Sequence, residues 1–409
     1  MVTRAGAQGE SIIQDAMPKR RWDIDWLRVL AVVGLLVPYH TYRVFDIWDD
    51  WYVKNDQLSA ALNWFLYLGD GVGMQLLFLL AGSATWFALR RRTGRQYAWE
   101  RIKRLLIPFV FALLVIVPPQ SYLGLRHHTA YTGSFLKWYP DFFTVHGEDI
   151  GGYSTGGFTV AHMWFVLFLL IIALVALPIF LVLKREWGKR VIDFVAAVCS
   201  WPGVILLLVI PIIAAERLID IYPNPLYFFI FFIYGYFILT DPRFEEAIDR
   251  HKGIALVFGL LALVFFAIWV DRNLGATYNI PGWMETTFRR CIMSWLLIVA
   301  LLGYGKKYLC SPPKSRSSRL FLGYFGEGSY PFYILHQTVI VFIAFFAVQW
   351  AAGVAAKYLV IAVAAYLGTI ILYDLLVRRA NVTRFLFGMR ALKRKSPELS
   401  AQRPGKSAA

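Results

Sequence analysis

Residues 162–183 read HMWFVLFLLIIALVALPIFLVL, a run without a single Asp, Glu, Lys or Arg. A helix needs about 20 mostly apolar residues to cross the hydrocarbon core of a bilayer, so this stretch predicts a transmembrane helix. Nine further apolar runs extend the pattern in both directions along the chain. The predicted spans, including the first, are 26–45, 60–89, 104–122, 162–183, 192–214, 224–239, 254–270, 289–304, 329–350 and 354–377.

Composition supports the same fold class. The chain has 409 residues, of which 58% are hydrophobic and 17% charged, and its mean hydropathy is +0.54. A soluble domain could not bury that much apolar surface, so the sequence predicts an all-α polytopic membrane protein whose partner is the lipid bilayer. The net charge of +16 does not indicate nucleic acid, because the basic residues alternate with the apolar runs.

Basic residues concentrate in alternate loops, except that the loop 240–252 is nearly balanced in charge. The pattern predicts ten crossings with both termini in the cytoplasm. We expect residues 1–18 to be a disordered cytoplasmic N-terminus, residues 19–379 to form the transmembrane domain, and residues 380–409 to be a basic cytoplasmic tail. The longest external segment runs from about 123 to 161, and a loop of that length is usually functional or disordered.

Ionisable side chains at membrane depth are costly and are therefore candidates for function. Asp25 and Arg28 are neighbours on one helix face, where they form either a structural ion pair near the cytoplasmic interface or part of a site. The membrane histidines His40, His162 and His336 are either helix-packing residues or ligands. The remaining histidines fall in predicted loops, so we expect them to be solvated.

Two further positions have polar side chains near small residues. Asp70 lies near the predicted external end of the second span, and Ser83 follows Ala81 and Gly82, where close helix packing is the commoner explanation. The three cysteines form no pair typical of a zinc site, and no phosphate-binding loop is present. We therefore expect no metal and no permanently bound cofactor.

Four segments together identify a family. IDWLRVLA (24–31), followed by YH (39–40), resembles the first helix of the membrane enzymes called acyltransferase family 3. FLLAGS (78–83), RIKRLLIP (101–108) and SYPFYILH (329–336) are similar to later family segments in the same order. The resemblance covers about residues 22–378, and glucan succinyltransferases and sugar O-acetyltransferases belong to this family.

The resemblance implies transfer of an acyl group, of the acetyl or succinyl class, from cytoplasmic acyl-CoA to a hydroxyl acceptor such as a carbohydrate. It also implies a bacterial cytoplasmic (inner) membrane location, an essential Arg28 and an essential His40. We expect Asp25 to orient Arg28. The basic residues that we expect near the CoA phosphates are Arg90, Arg91, Arg92, Arg101, Lys103 and Arg104. The residues that we expect on the acceptor side or along the cavity are Asp70, Ser83, His162, Tyr333 and His336.

The spacing departs from the family in one respect. Eleven residues separate Arg28 from His40, where the family usually has ten, and this turns the pair from about 20° to about 120° apart on a regular helix. We expect a widened or kinked helix between Gly34 and His40, because a π-bulge absorbs one extra residue. His40 then acts either as a general base or as a nucleophile that is itself acylated.

Other function classes also fit ten helices with buried His and Arg. A secondary transporter is the main alternative, although the matching broken helices of inverted repeats are not evident in the sequence. A non-catalytic membrane sensor that keeps the acyltransferase shape is a third interpretation.

Overall fold

The computed structural model describes residues 20–47, 50–219, 221, 223–273 and 285–392. Every long regular element in this part of the chain is a helix, and it contains no strand. In chain order the helices are α1 (Trp22–Tyr42), α2 (Ala60–Arg91), α3 (Gly94–His128), α4 (Ala161–Leu183), α5 (Glu186–Cys199), α6 (Val204–Leu218), α7 (Pro225–Ile238), α8 (Pro242–Trp269), α9 (Thr287–Leu309), α10 (Arg316–Ala347), α11 (Val354–Val377) and α12 (Asn381–Leu386).

Eight of these helices, α1 to α4 and α8 to α11, are long and apolar enough to cross a membrane. Their exposed surfaces carry many large apolar side chains, as a lipid-facing exterior requires. The predicted all-α, multi-pass membrane fold is therefore confirmed. The count of ten crossings and the cytoplasmic position of both termini stay predictions, and residues 1–19 and 393–409 lie outside the described residues.

The predicted span 192–214 is not one helix. It falls on α5 and α6, which are bent by 112° at the break between them. Gly203 sits in the break with a φ of +82°, a conformation that glycine adopts without steric penalty. The backbone N–H of Gly203 donates to Nε2 of His251, 2.9 Å away. His251 is buried in α8, so its assignment to a solvated loop is wrong.

The described residues divide into two compact units. Of the residues described, the first contains 20–34, 70–83, 189–219, 221, 223–273 and 285–326, and the second contains 35–47, 50–69, 84–188 and 327–392.

Glycines bring two helices of the first unit into backbone contact. A Cβ atom on Gly82 of α2 would lie 1.9 Å from the carbonyl oxygen of Phe232, and one on Gly235 of α7 would lie 1.8 Å from the carbonyl oxygen of Leu79. No side chain larger than hydrogen fits at either position. Small residues at helix crossings are the usual means of tight packing in membranes, as expected from the sequence around Ser83.

The second unit contains the long segment between α3 and α4. Asp149 organises its glycine-rich part, because its carboxylate accepts hydrogen bonds from the backbone N–H groups of Tyr153, Ser154 and Thr155. Burial by itself raises the pKa of the Asp149 carboxyl, but these hydrogen bonds outweigh it and leave the pKa below its usual range. The hydroxyl of Tyr52 donates to the carbonyl oxygen of Gly151, which ties this segment to the chain that follows α1.

Candidate active site

Two histidines of the second unit form a direct hydrogen bond. Nε2 of His336 in α10 lies 3.0 Å from Nδ1 of His40 in α1, and the two ring centroids are 4.7 Å apart. His336 has no exposed surface, and His40 is 9% exposed. The structure thus brings together two of the predicted site residues.

The surrounding carbonyl groups determine which nitrogen carries each proton. Nδ1 of His336 lies 2.6 Å from the carbonyl oxygen of Tyr333, which can only accept, so Nδ1 is the protonated atom. Nε2 of a neutral His336 is then an acceptor, and Nδ1–H of His40 must be its donor. Nδ1 of His40 also lies 3.1 Å from the carbonyl oxygen of Leu36, in agreement with a proton on that atom.

This arrangement leaves a free lone pair on Nε2 of His40. Among the described residues, no hydrogen-bond partner is assigned to that atom. A neutral imidazole with an available nitrogen can accept a proton, and its protonated form would donate a charge-assisted hydrogen bond to His336. The pair is therefore chemically suited to act as a base.

His162 lies next to this pair at the start of α4. Its ring centroid is 5.3 Å from that of His336, and its Nε2 donates to the carbonyl oxygen of Ile334 at 3.0 Å. The hydroxyl of Tyr333 donates to the backbone carbonyl of His162. Nδ1 of His162 is buried and has no hydrogen-bond partner among the residues described. Four predicted site residues, His40, His162, Tyr333 and His336, therefore form one cluster.

The residue before His162 has an unusual backbone conformation. Ala161 has a φ of +45°, a value that costs a non-glycine residue about 1–2 kcal/mol. The backbone N–H of Ala161 donates to the side-chain oxygen of Thr159 at 3.0 Å. Strained residues of this kind concentrate at functional sites, where the surrounding contacts hold them in place. The sequence contains no signal for this conformation.

Arg28 and Asp25 belong to the first unit, and the predicted contact between them is present. Their side chains form an ion pair at 3.0 Å, and Asp25 also pairs with Arg20 at 2.8 Å. The Arg28 side chain is 39% exposed. The expected widening of α1 is also present, as a π-helical segment at Leu30–Leu35. It begins one turn before Gly34, the first residue of the predicted position.

The other two polar candidates have different surroundings. Ser83 donates from its hydroxyl to the carbonyl oxygen of Gly235 at 2.8 Å, which is the packing role that small-residue segments favour. Ser83 also lines a cavity of the first unit, together with the charged residues Arg21, Asp23, Glu245 and Lys306. The backbone of Asp70 lies in α2, but its side chain lies outside the described residues.

The basic candidates all lie in the second unit, around the junction of α2 and α3. Arg92 forms an ion pair with Glu100 at 3.1 Å, and Arg101 donates to the hydroxyl of Thr85 at 3.1 Å. Arg90 and Lys103 stack on nearby tryptophan rings, at 4.8 and 4.9 Å from the ring centroids. Arg91 is exposed, and Arg104 is half-buried.

The first unit contains a buried polar group that our sequence analysis did not predict. Glu216 and Arg290 form an ion pair at 2.5 Å, and both side chains are at least nine-tenths buried. The hydroxyl of Tyr227 donates to the carbonyl oxygen of Arg290 and accepts from the side-chain amide of Gln75. The sequence does indicate both residues, because Glu216 follows the predicted span 192–214 and Arg290 lies at the start of the predicted span 289–304. Within the described part of the chain, no group of three or more His, Cys, Asp or Glu side chains is arranged to hold a metal ion.

Comparison with known proteins places the chain in a family. The family model described as an acyltransferase domain matches residues 21–377. Two similar proteins are each named glucans biosynthesis protein C. The one from Salmonella schwarzengrund is 23% identical over 78% of this chain and 80% of its own length, and the one from Shigella dysenteriae is 21% identical over 94% and 98%. No solved structure matches the chain.

The matched region and the helices define an integral membrane acyltransferase. The chain belongs to acyltransferase family 3, and it is an enzyme of the O-acyltransferase class. The predicted family and enzyme class are thereby confirmed, so the enzyme is favoured over the transporter that the sequence left open.

Proposed function

We propose that this enzyme transfers an acyl group, of the acetyl or succinyl class, from acyl-CoA to a hydroxyl of a carbohydrate acceptor. The hydrogen bond between His336 and His40 carries the mechanistic part of the proposal. The donor and the acceptor class follow from the family resemblance and from relatives whose name refers to glucan biosynthesis.

The proposed reaction uses Nε2 of His40 as the base. A sugar hydroxyl is a weak nucleophile at neutral pH, so its proton must leave as its oxygen attacks the thioester carbonyl carbon. His40 takes that proton, and the carbon–sulfur bond of the tetrahedral intermediate then breaks. The departing CoA sulfur receives the proton from His40, which leaves an ester, free CoA and a neutral histidine.

His336 has a positioning role in this scheme. Its Nε2 accepts from Nδ1–H of His40, which directs the free lone pair of His40 to the opposite nitrogen. When His40 is protonated, the same hydrogen bond becomes charge-assisted and stabilises the imidazolium. The hydrogen bond of His336 to the carbonyl oxygen of Tyr333 supports this polarity.

A covalent route uses the same atom. Nε2 of His40 would attack the thioester carbonyl carbon, and the carbon–sulfur bond would break to release CoA as the thiolate. The acceptor hydroxyl would then attack the acyl group, its proton would pass to the thiolate, and the neutral histidine would be restored. Rapid quenching with radiolabelled acyl-CoA in the absence of acceptor separates the routes, because only the covalent one leaves label on the protein.

We assign the donor side by resemblance. Arg28, paired with Asp25, corresponds to the essential arginine of the family and would bind the phosphate or thioester end of the donor. Acyl-CoA is then a substrate rather than a resident cofactor. The relatives come from Salmonella and Shigella, which supports a location in the bacterial cytoplasmic membrane with CoA supplied from the cytoplasm.

The test is release of free CoA from acetyl-CoA or succinyl-CoA, with and without a glucan acceptor. We expect His40→Ala to lower acceptor-dependent turnover by about 10²- to 10⁴-fold, the usual contribution of a general base. His146→Ala is the matched control, because His146 lies in the loop beside Glu148 and outside the cluster. Wild-type turnover in a folded His40→Ala protein would exclude the proposed mechanism.

A further inference from the structure

His162 has one ring nitrogen that the proposed reaction leaves unused. Its Nε2 lies 3.0 Å from the carbonyl oxygen of Ile334, which can only accept, so Nε2 carries the proton of the neutral ring. Nδ1 is then a hydrogen-bond acceptor. That atom is buried and has no hydrogen-bond partner in the part of the chain that the structure describes. Buried polar atoms are almost always paired, so this one calls for a ligand that donates to it.

The surroundings of His162 hold it in this costly arrangement. On one side, the strained residue Ala161 is fixed by the hydrogen bond from its backbone N–H to the side-chain oxygen of Thr159. On the other side, the hydroxyl of Tyr333 donates to the backbone carbonyl of His162. His162 is only 5% exposed. A strained backbone beside an unpaired polar atom, both fixed by their neighbours, is typical of a preorganised binding site.

The unpaired nitrogen belongs to the same cluster as the proposed base. The ring centroid of His162 lies 5.3 Å from that of His336, which in turn lies 4.7 Å from that of His40. Among the residues described, Nε2 of His40 and Nδ1 of His162 are both acceptors without an assigned partner. A single molecule that donates hydrogen bonds at two positions therefore suits the cluster.

The place of His162 in the chain favours the acyl acceptor over the acyl donor as that molecule. His162 lies in the first turn of α4, directly after the segment 123–161 that we predict to be external. The carbohydrate is expected on that side, whereas the proposed donor is supplied from the cytoplasm. A carbohydrate also carries several hydroxyl groups, each of which can donate a hydrogen bond.

We infer that Nδ1 of His162 binds a second, non-reacting hydroxyl group of the carbohydrate acceptor. His162 is then a specificity-determining residue, because an acceptor must present one hydroxyl to His40 and another to His162. An analogue without the second hydroxyl leaves the buried nitrogen unpaired, and a site built for hydrogen bonding discriminates strongly against such an analogue. The inference rests on the proposed function, since it takes the acceptor to be a carbohydrate.

Methyl glucoside and its monodeoxy analogues test the inference as acceptors for the purified full-length enzyme in nanodiscs. The analogue without the reacting hydroxyl should give no transfer. A second analogue should lose about 10- to 100-fold in kcat/KM, because it cannot donate to His162. His162→Phe should show that loss with the parent sugar and little further loss with the second analogue, since both changes remove the same hydrogen bond.

The same acceptor series can exclude a ligand role for the nitrogen. Wild-type enzyme that uses every analogue with a reacting hydroxyl as well as it uses the parent sugar would show that Nδ1 holds no substrate hydroxyl. That result would overturn the inference and leave the proposed function intact.

A matched pair of substitutions separates substrate binding from helix packing. The side-chain amide of asparagine reaches the place of Nδ1, and that of glutamine reaches the place of Nε2, where the hydrogen bond to Ile334 lies. We expect His162→Asn to keep part of the discrimination against the second analogue and His162→Gln to lose it. Equal discrimination by the two folded variants, or the reverse order, would assign His162 to packing and overturn the inference.

A binding measurement separates the inference from the proposed function. In a His40→Ala background, methyl glucoside should raise the melting temperature, and adding His162→Phe should reduce that rise. This readout needs no turnover. A wild-type enzyme that acylates no sugar would therefore refute the proposed function, whereas a rise in melting temperature that is the same with and without His162, or no rise at all, would refute the inference.

Discussion

Nε2 of His336 accepts a hydrogen bond from Nδ1 of His40 across 3.0 Å, although 296 positions separate the two residues along the chain. The pair is anchored by backbone carbonyl oxygens at both rings, those of Tyr333 and Leu36. The direction of this hydrogen bond is therefore fixed by main-chain carbonyl groups and not by a neighbouring acid. Substitutions of His336 can test this.

His336→Phe should lower acyl-transfer turnover about 100-fold, because His40 loses the acceptor that fixes its tautomer. His336→Gln should recover part of the activity, since an amide oxygen can accept the same hydrogen bond. The KM for the acyl donor should change little in either variant. Steady-state CoA release measures both constants, and equal turnover of the Phe and Gln variants would rule out the hydrogen-bonding role.

Tyr333→Phe removes the donor to the buried carbonyl of His162. An unsatisfied buried acceptor costs about 1–3 kcal/mol, so the variant should unfold at a lower temperature. Tyr122→Phe is a suitable control, because the Tyr122 hydroxyl also donates to a carbonyl oxygen but is partly buried and is not part of the cluster of His40, His162, Tyr333 and His336. A turnover loss confined to Tyr333→Phe would indicate that the position of His162 matters to the reaction.

Ala161→Gly tests the strain before His162. Glycine tolerates the φ of +45° that alanine resists, so we expect the free energy of unfolding to rise by about 1 kcal/mol. Ala161→Val should lower it, because a β-branched side chain is less compatible with that conformation. Chemical denaturation in detergent measures both changes, and a destabilised Gly variant would argue against strain at this position.

Gly235→Ala should destabilise the first unit by about 1–3 kcal/mol, because the added methyl group would overlap the backbone of Leu79. Gly323→Ala in α10 is the matched control, since nothing outside its own turns of helix lies within 4 Å of the added carbon. That control should be neutral or slightly stabilising, because alanine favours helix more than glycine does. Melting temperatures of the two variants provide the comparison.

Asp149 predicts a pH dependence in the loop between α3 and α4. Its folded pKa lies below the usual carboxyl value of about 3.9, so its stabilising effect is present above that value and is lost as the pH falls through the folded pKa. Asp149→Asn should remove this acid-sensitive part of the stability, which the wild type loses as the pH falls below about 4. Limited proteolysis of the loop across that range would detect it, and identical profiles for both proteins would refute it.

The sequence predicted the membrane fold because hydropathy depends on local composition. Runs such as 162–183 are apolar over a full bilayer thickness, and the structure has helices there. The break between α5 and α6 was also available locally, since Pro202 and Gly203 interrupt the predicted span 192–214. The run 192–214 is apolar overall, so hydropathy alone predicts a single helix there, although proline and glycine are typical of turns.

The candidate site was only partly predictable. Motif order identified His40 and His336 as separate candidates, but no local pattern could show that they share a hydrogen bond. The strained backbone of Ala161 and the docking of the C-terminal segment also depend on tertiary contacts. Phe387 lies in a region that we predicted to be a basic cytoplasmic tail, and its contact with Phe111 joins positions that are far apart in sequence.

The dependence of the imidazole pair on main-chain carbonyls has a consequence for biosynthesis. A carboxylate partner for His40 would add a side chain that costs about 2.5–3.5 kcal/mol to place at the centre of a newly made helix. Two uncharged imidazole rings avoid this insertion cost, because α1 and α10 are synthesised and inserted into the membrane at different times. Reactivity would then emerge only after both helices have entered the bilayer and met.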